Sequence, residues 1–239
     1  MRDNPARRLH DVLVSLKAQP ASQPIRDAWA AVLGIDVNDG VLMFTAMAEV
    51  SAIPDEIRGR LLAVPNLDAE LYLSWDAEVR AVLAGFIVMT NPVDGIQRLY
   101  TDATLLGLRH ASNVLRAAGR DLPADQLAEL LTEIGELIAL LDGSDEIPAD
   151  LRMLLLDLAE EMRRAARLLK IHGVDGLERA VAQCIGSIKV KYPAGVPEDV
   201  QSTGVWAGFF KLVSNVGLML GTASTAYELG SSVAGAIST

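Results

Sequence analysis

The chain reads as an all-α protein: a multi-helix bundle with antiparallel helical hairpins and a hydrophobic, Gly-rich C-terminal helical segment. Three observations predict this. Apolar residues recur at three- and four-residue steps, most clearly in Leu127, Leu130, Leu131, Ile134, Ile138 and Leu141 and again in Leu151, Leu154, Leu155, Leu158 and Met162, which places one apolar stripe on each of two helices. Ala, Leu, Glu and Arg dominate over β-branched residues, alternation is weak and turn dipeptides are sparse, a composition that argues against strands. From Gly204 to Thr239 only Lys211 and Glu228 carry charge, and glycines recur at 204, 208, 217, 221, 230 and 235.

The elements follow in order. Asn4 or Asp3 caps a first helix with Pro5 in its opening turn, where the missing N–H is one of the unpaired donors anyway; Leu9, Val12, Leu13 and Leu16 form its stripe. Pro20 and Pro24 break the chain, and a second helix ends at Leu33 with Gly34 as its C-terminal cap. Asp36-Val-Asn-Asp-Gly40 superficially suggests a calcium loop. That pattern needs a ligand at its fifth position and a Glu at its twelfth, where this chain has Gly40 and Met47, so the loop is expected to cap a helix over 41–50. Pro54 and Pro65 are expected to bracket a separate short helix around Ile57, Leu61 and Leu62.

A long helix is predicted over 67–89, through Leu71, Trp75, Val79, Val82, Leu83 and Phe86, ending at Asn91-Pro92. Another is predicted over 93–118, burying Ile96, Leu99, Tyr100, Ala103, Leu106, Ala111, Val114 and Leu115. Asp121 is placed as the cap of the next helix. The two leucine-rich helices then form a hairpin about Asp142-Gly-Ser-Asp-Glu146. His172-Gly-Val-Asp-Gly176 is a sharp turn before a helix over 177–190, and Tyr192 to Gly204, rich in Pro, Gly and small polar residues, reads as a linker. The expected layout is a helical bundle over 1–190, a linker over 191–203 and an apolar segment over 204–239.

Composition narrows the function. The formal charge is −10 and the pI about 4.8, which disfavours an electrostatic grip on nucleic acid; Arg7 and Arg8, or Arg163, Arg164 and Arg167, read as solvated helix faces. With one cysteine, Cys184, an intramolecular disulfide is impossible and a reducing, cytoplasmic location is expected. The opening residues lack the apolar core of a secretory signal.

No chemistry assembles from local pattern. His10, His110 and His172 sit in separate segments, none beside a second ligand at metal spacing. Glu129, Glu133, Glu136, Asp157, Glu160 and Glu161 lie opposite the apolar stripes and read as exposed acidic faces, and the chain holds no Glu-x-x-His pair for a di-metal carboxylate site. Phosphate-loop and Gly-x-Ser-x-Gly patterns are also absent. Cys184, among Ala180, Val181 and Ile188, reads as an inert buried thiol. No cofactor or metal is expected.

Ser144-Asp-Glu-Ile-Pro-Ala-Asp-Leu-Arg-Met-Leu-Leu-Leu, Leu168-Leu-Lys-Ile-His-Gly-Val-Asp-Gly-Leu-Glu-Arg-Ala and the opening Arg8-Leu9 helix followed by Ala28-Trp-Ala-Ala-Val-Leu-Gly34 together resemble a group of uncharacterised bacterial all-helical proteins. The resemblance implies a bacterial, intracellular, all-α protein and transfers no catalytic residue.

The functional expectation is a non-enzymatic interaction protein. Its C-terminal apolar segment would mediate self-association or docking to a protein partner, with Trp206, Gly208, Phe209, Phe210, Gly217 and Gly221 as the interaction residues. The Gly204/Gly208 and Gly217/Gly221 spacings allow close helix approach. The alternative is a membrane-directed, pore-forming or toxin-like effector whose segment inserts when triggered, with Trp206, Phe209 and Phe210 as interface anchors.

Overall fold

The computed structural model describes residues 4–85, 89–115, 122–193 and 195–220. Asp3, Phe86, Asp121 and Gly221, all given roles by the sequence, lie outside them. The described residues are helical, with no strand beyond one isolated bridge between Pro24 and Pro92. The chain divides into two compact units. One comprises residues 1–119 with 170–173, the other 120–169 with 174–239. The division at 119/120 falls inside the expected bundle, and the expected linker over 191–203 lies within the second unit.

In the first unit, α1 (Pro5–Lys17) packs against α7 (Asp102–Val114), α3 (Gly40–Leu62) and α2 (Ile25–Leu33). Asn4 caps α1 as expected, its Oδ1 accepting from Arg7 N at 3.2 Å while Nδ2 donates to Ser112 O at 2.8 Å. One side chain thus satisfies a helix start and ties it to α7. At the other end Gln97 Nε2 donates to the carbonyls of Leu16 and Gln19 at 3.0 and 2.9 Å, holding the chain where it leaves α1. Gly34 takes the left-handed cap conformation, φ 74°.

Three expected boundaries move. The helix that was to stop before Pro54 runs unbroken from Gly40 to Leu62. Proline inside a helix costs about 3 kcal/mol, but Met43, Val50, Ile53, Ile57 and Leu61 bury one continuous face on both sides of it, each worth about 1.5–3 kcal/mol. The long helix over 67–89 is instead α4 (Ala69–Tyr72) and α5 (Asp76–Ala84). Between them Trp75 is seated in the core, its Nε1 donating to Tyr72 O at 2.7 Å, and a Cβ on Gly107 of α7 would stand 3.3 Å from its side chain. The helix over 93–118 is likewise split, into α6 (Asp94–Gln97) and α7. Tyr100 between them is buried with its hydroxyl donating to Leu13 O at 2.8 Å, and Thr101 opens α7 with a reciprocal capping box to Thr104. Leu99 and Leu106, expected inside, are exposed.

Residues 170–173 complete this unit. Lys170 Nζ donates to Val32 O at 2.9 Å, Arg8 donates to the carbonyl of the buried Ile171, and His172 Nε2 lies 3.8 Å from Glu49 Oε2. Gly173 follows at φ 60°, ψ −162°, a conformation open essentially to glycine alone.

In the second unit, α8 (Ala124–Asp142) and α9 (Ala149–Arg167) pack together. The part of α10 (Leu169–Lys191) after Gly173, α11 (Glu198–Gln201) and α12 (Gly204–Leu220) contribute to the same core. Lys191 Nζ meets Asp150 Oδ2 at 2.8 Å, tying the end of α10 to the start of α9.

Candidate functional site

The sequence points to α12, and its position follows from the residues before it. Val196 and Val200 are buried, so the proline-rich stretch is drawn into the core by two side chains rather than left as a tether. Gln201 Nε2 returns to Val196 O at 2.5 Å, and Thr203 Oγ1 accepts from Trp206 N at 3.2 Å. That hydroxyl is an N-cap, which starts α12 at Gly204.

From there the spacing sorts the side chains. Val205, Trp206, Phe209, Leu212, Val213, Val216 and Gly217 recur at helical steps and are buried. Trp206 is 4% exposed and Phe209 1%, their rings stacked with centroids 6.1 Å apart. Phe210 is half-buried, Lys211 exposed, and Leu218 stands 61% exposed. The flank facing α8 is polar at one point, where Asn215 Nδ2 reaches both carboxylate oxygens of Glu133 at 3.3 Å. Gly208 faces Leu137 and Leu140. These two contacts run in opposite order along α8 and α12.

Of the six residues singled out, then, Trp206, Phe209 and Gly217 lie in the unit's own core, Phe210 lies at its edge, and Gly208 lies against α8. Gly221 is outside the described residues. Two of the glycines can be compared with their neighbours within the unit. A Cβ on Gly208 would stand 3.6 Å from Leu137 Cδ1, and one on Gly204 would stand 3.8 Å from Glu146 Oε2, both ordinary van der Waals distances. Within the unit, neither position is closed to a Cβ by a neighbouring backbone.

Titratable groups elsewhere have structural partners. Burial pushes the Cys184 thiol up to about 12, consistent with a thiol enclosed by apolar neighbours. Burial likewise raises the Tyr100 phenol. The Lys17 ammonium lowers the Asp102 carboxyl, and Lys191 does the same to Asp150, in each case chiefly through a side-chain hydrogen bond. His10 is hydrogen-bonded to Asp11 at 2.9 Å, while His110 is exposed on α7. Among the described residues no three His, Cys, Asp or Glu side chains gather as a metal site, and no helix is long and apolar enough to cross a membrane.

A further apolar surface escaped the sequence reading. Val41 and Phe44 on α3 are 81% and 70% exposed, and Leu62 at its far end 59%. Splitting α3 at Pro54 hid the fact that these residues share one face; the signal was present in their spacing.

No protein-family model matches the chain, and neither a curated protein nor a solved structure matches it.

Proposed function

We propose that the protein acts by association with another polypeptide, a second copy or a protein partner, rather than by catalysis. Its C-terminal segment from Gly204 onward is the docking element. The observation that carries this reading is the surplus of apolar surface on α12: after six of its large side chains have entered a core, Leu218 still faces outward and Phe210 remains half-covered. The chain continues in the same style, with Glu228 the one charge in residues 221–239. In this reading α8 and α9 form an antiparallel hairpin, the platform against which the glycine-rich segment is held. Light scattering of the full chain against its Phe210→Glu, Leu218→Glu variant tests it. The full chain is expected to exceed monomer mass with rising concentration and the variant to show a lower mass at each concentration, with unchanged helical circular dichroism. Monomers in both cases remove self-association.

Membrane insertion is the second reading, favoured by the charge-poor run after Gly204. It requires α12 to leave its core and expose Trp206, Phe209, Leu212, Val213 and Val216. At about 1.5–3 kcal/mol each, that is on the order of 10 kcal/mol, so insertion needs a trigger. Flotation with anionic vesicles and dye leakage from them between pH 4.5 and 7.5 test it, and the absence of both would dismiss it.

A further inference from the structure

Helix α3 is apolar on two sides. Its inner face is buried through Met43, Val50, Ile57 and Leu61. Its outer face carries Val41, Phe44, Ala48, Ala52, Asp55, Gly59 and Leu62, all exposed and separated by steps of three and four, so that they line one stripe. Helices apolar all round are ordinarily enclosed. Six of these seven residues are apolar or small, and the carboxylate of the seventh, Asp55, is held by Arg80 Nη2 at 2.7 Å.

The stripe is complementary to itself when reversed. Laid antiparallel across a two-fold axis beside Ala52, Val41 falls opposite Leu62, Phe44 opposite Gly59, and Ala48 opposite Asp55. The largest side chain thereby meets the residue with none, and a Cβ on Gly59 would find nothing within 4 Å. The centre is occupied by alanines, which let the two backbones approach. A parallel pairing would instead set Phe44 on Phe44 and Asp55 on Asp55. We propose that the outer face of α3 is a homodimer interface in which two copies of the chain pair antiparallel, Phe44 of each seated over Gly59 of the other. This rests on the reading that the protein works by association, and it adds a self-contact on α3 to the docking element at α12.

The size of the face sets the strength. From Val41 to Leu62 the stripe is about 32 Å long at 1.5 Å per residue. A strip one helix wide and that long covers on the order of 500 Å² per copy, or about 1,000 Å² in the pair, the lower edge of specific interfaces. A face of that size suits an association that depends on concentration rather than an obligate dimer.

Sedimentation equilibrium of the full chain, with three variants, tests the proposal. Phe44→Asp is expected to weaken association at least about 30-fold, the loss typical of an aromatic anchor seated in a recess of its partner. Gly59→Glu fills the recess from the opposite side while improving a helix position, so it is expected to melt no lower than the parent and yet be monomeric. The double variant Val41→Cys, Leu62→Cys is expected to form a covalent dimer under mild oxidation, where each single variant does not; the native Cys184 is buried and does not compete. A chain that stays monomeric to several hundred micromolar overturns the proposal. So does a dimer indifferent to Phe44→Asp and Gly59→Glu, and if that dimer dissociates on Leu218→Glu, the C-terminal reading stands while this one falls.

Discussion

Replacing Phe209 by alanine separates a structural α12 from a displayed one. The ring is 1% exposed and stacks on Trp206 at 6.1 Å, with Leu212, Val213 and Val216 buried in the same core. Deleting a phenyl ring from an enclosed site costs about 3–5 kcal/mol, the spread reflecting how far the cavity collapses. Part of that is the aromatic pair, about 0.5–1.5 kcal/mol beyond area alone. Taking about 4 kcal/mol, the opening of α12 becomes about a thousand-fold more frequent, since each 1.4 kcal/mol is a factor of ten. Hydrogen exchange read by mass spectrometry on peptides covering 204–220 measures this directly, because protection there reports the local opening free energy. The parent chain should protect the amides of α12, and the variant should exchange them about three orders of magnitude faster. Unprotected amides in the parent, or a change of less than tenfold, would refute the placement of α12 in a core and return Trp206 and Phe209 to the list of available docking residues.

Three further outcomes follow from particular contacts. Gly208→Ala should be neutral or stabilising by about 0.5–1 kcal/mol in thermal unfolding, because its Cβ finds Leu137 at 3.6 Å and helical alanine is preferred over glycine; a loss above about 1 kcal/mol would show that close approach matters there after all. Lys191 depresses the Asp150 carboxyl, so the pair contributes stability above the unfolded-state value near 3.9 and loses it as pH falls through the lower folded-state value. Asp150→Asn should therefore slightly reduce stability at pH 7 and leave it unchanged at pH 2, read as melting curves at both. The Cys184 thiol, raised to about 12 by burial, should resist a thiol-reactive disulfide reagent at pH 8 in the native protein and react fully in denaturant; rapid native labelling would place it at an open surface.

The periodic stripes of α1, α8 and α9 were legible because the helical repeat is a local property: four or five residues decide which side of a turn is apolar. Capping was legible for the same reason, as with Asn4 and Gly34, where one side chain or one backbone angle acts within three residues. The apolar character of the segment after Gly204 was legible, but hydrophobicity alone says that Trp206 and Phe209 must be covered without saying by what. Their cover is the second unit's own core. The outer stripe of α3 was missed because Pro54 is a strong local stop signal, and its local penalty is smaller than the burial gathered on both sides of it.

By itself, the sequence determined that this chain is helical, where most apolar faces lie, and that its end carries more apolar surface than charge, since each of these depends on neighbours within a turn or two. Only the tertiary structure decided that α3 crosses a proline, that Trp75 and Tyr100 interrupt helices, that residues 170–173 belong with the first unit, and that α12 buries Phe209 rather than presenting it. Those outcomes weigh a local cost of a few kcal/mol against burial contributed by residues far apart in the chain, and the size of that burial exists only once the chain has folded.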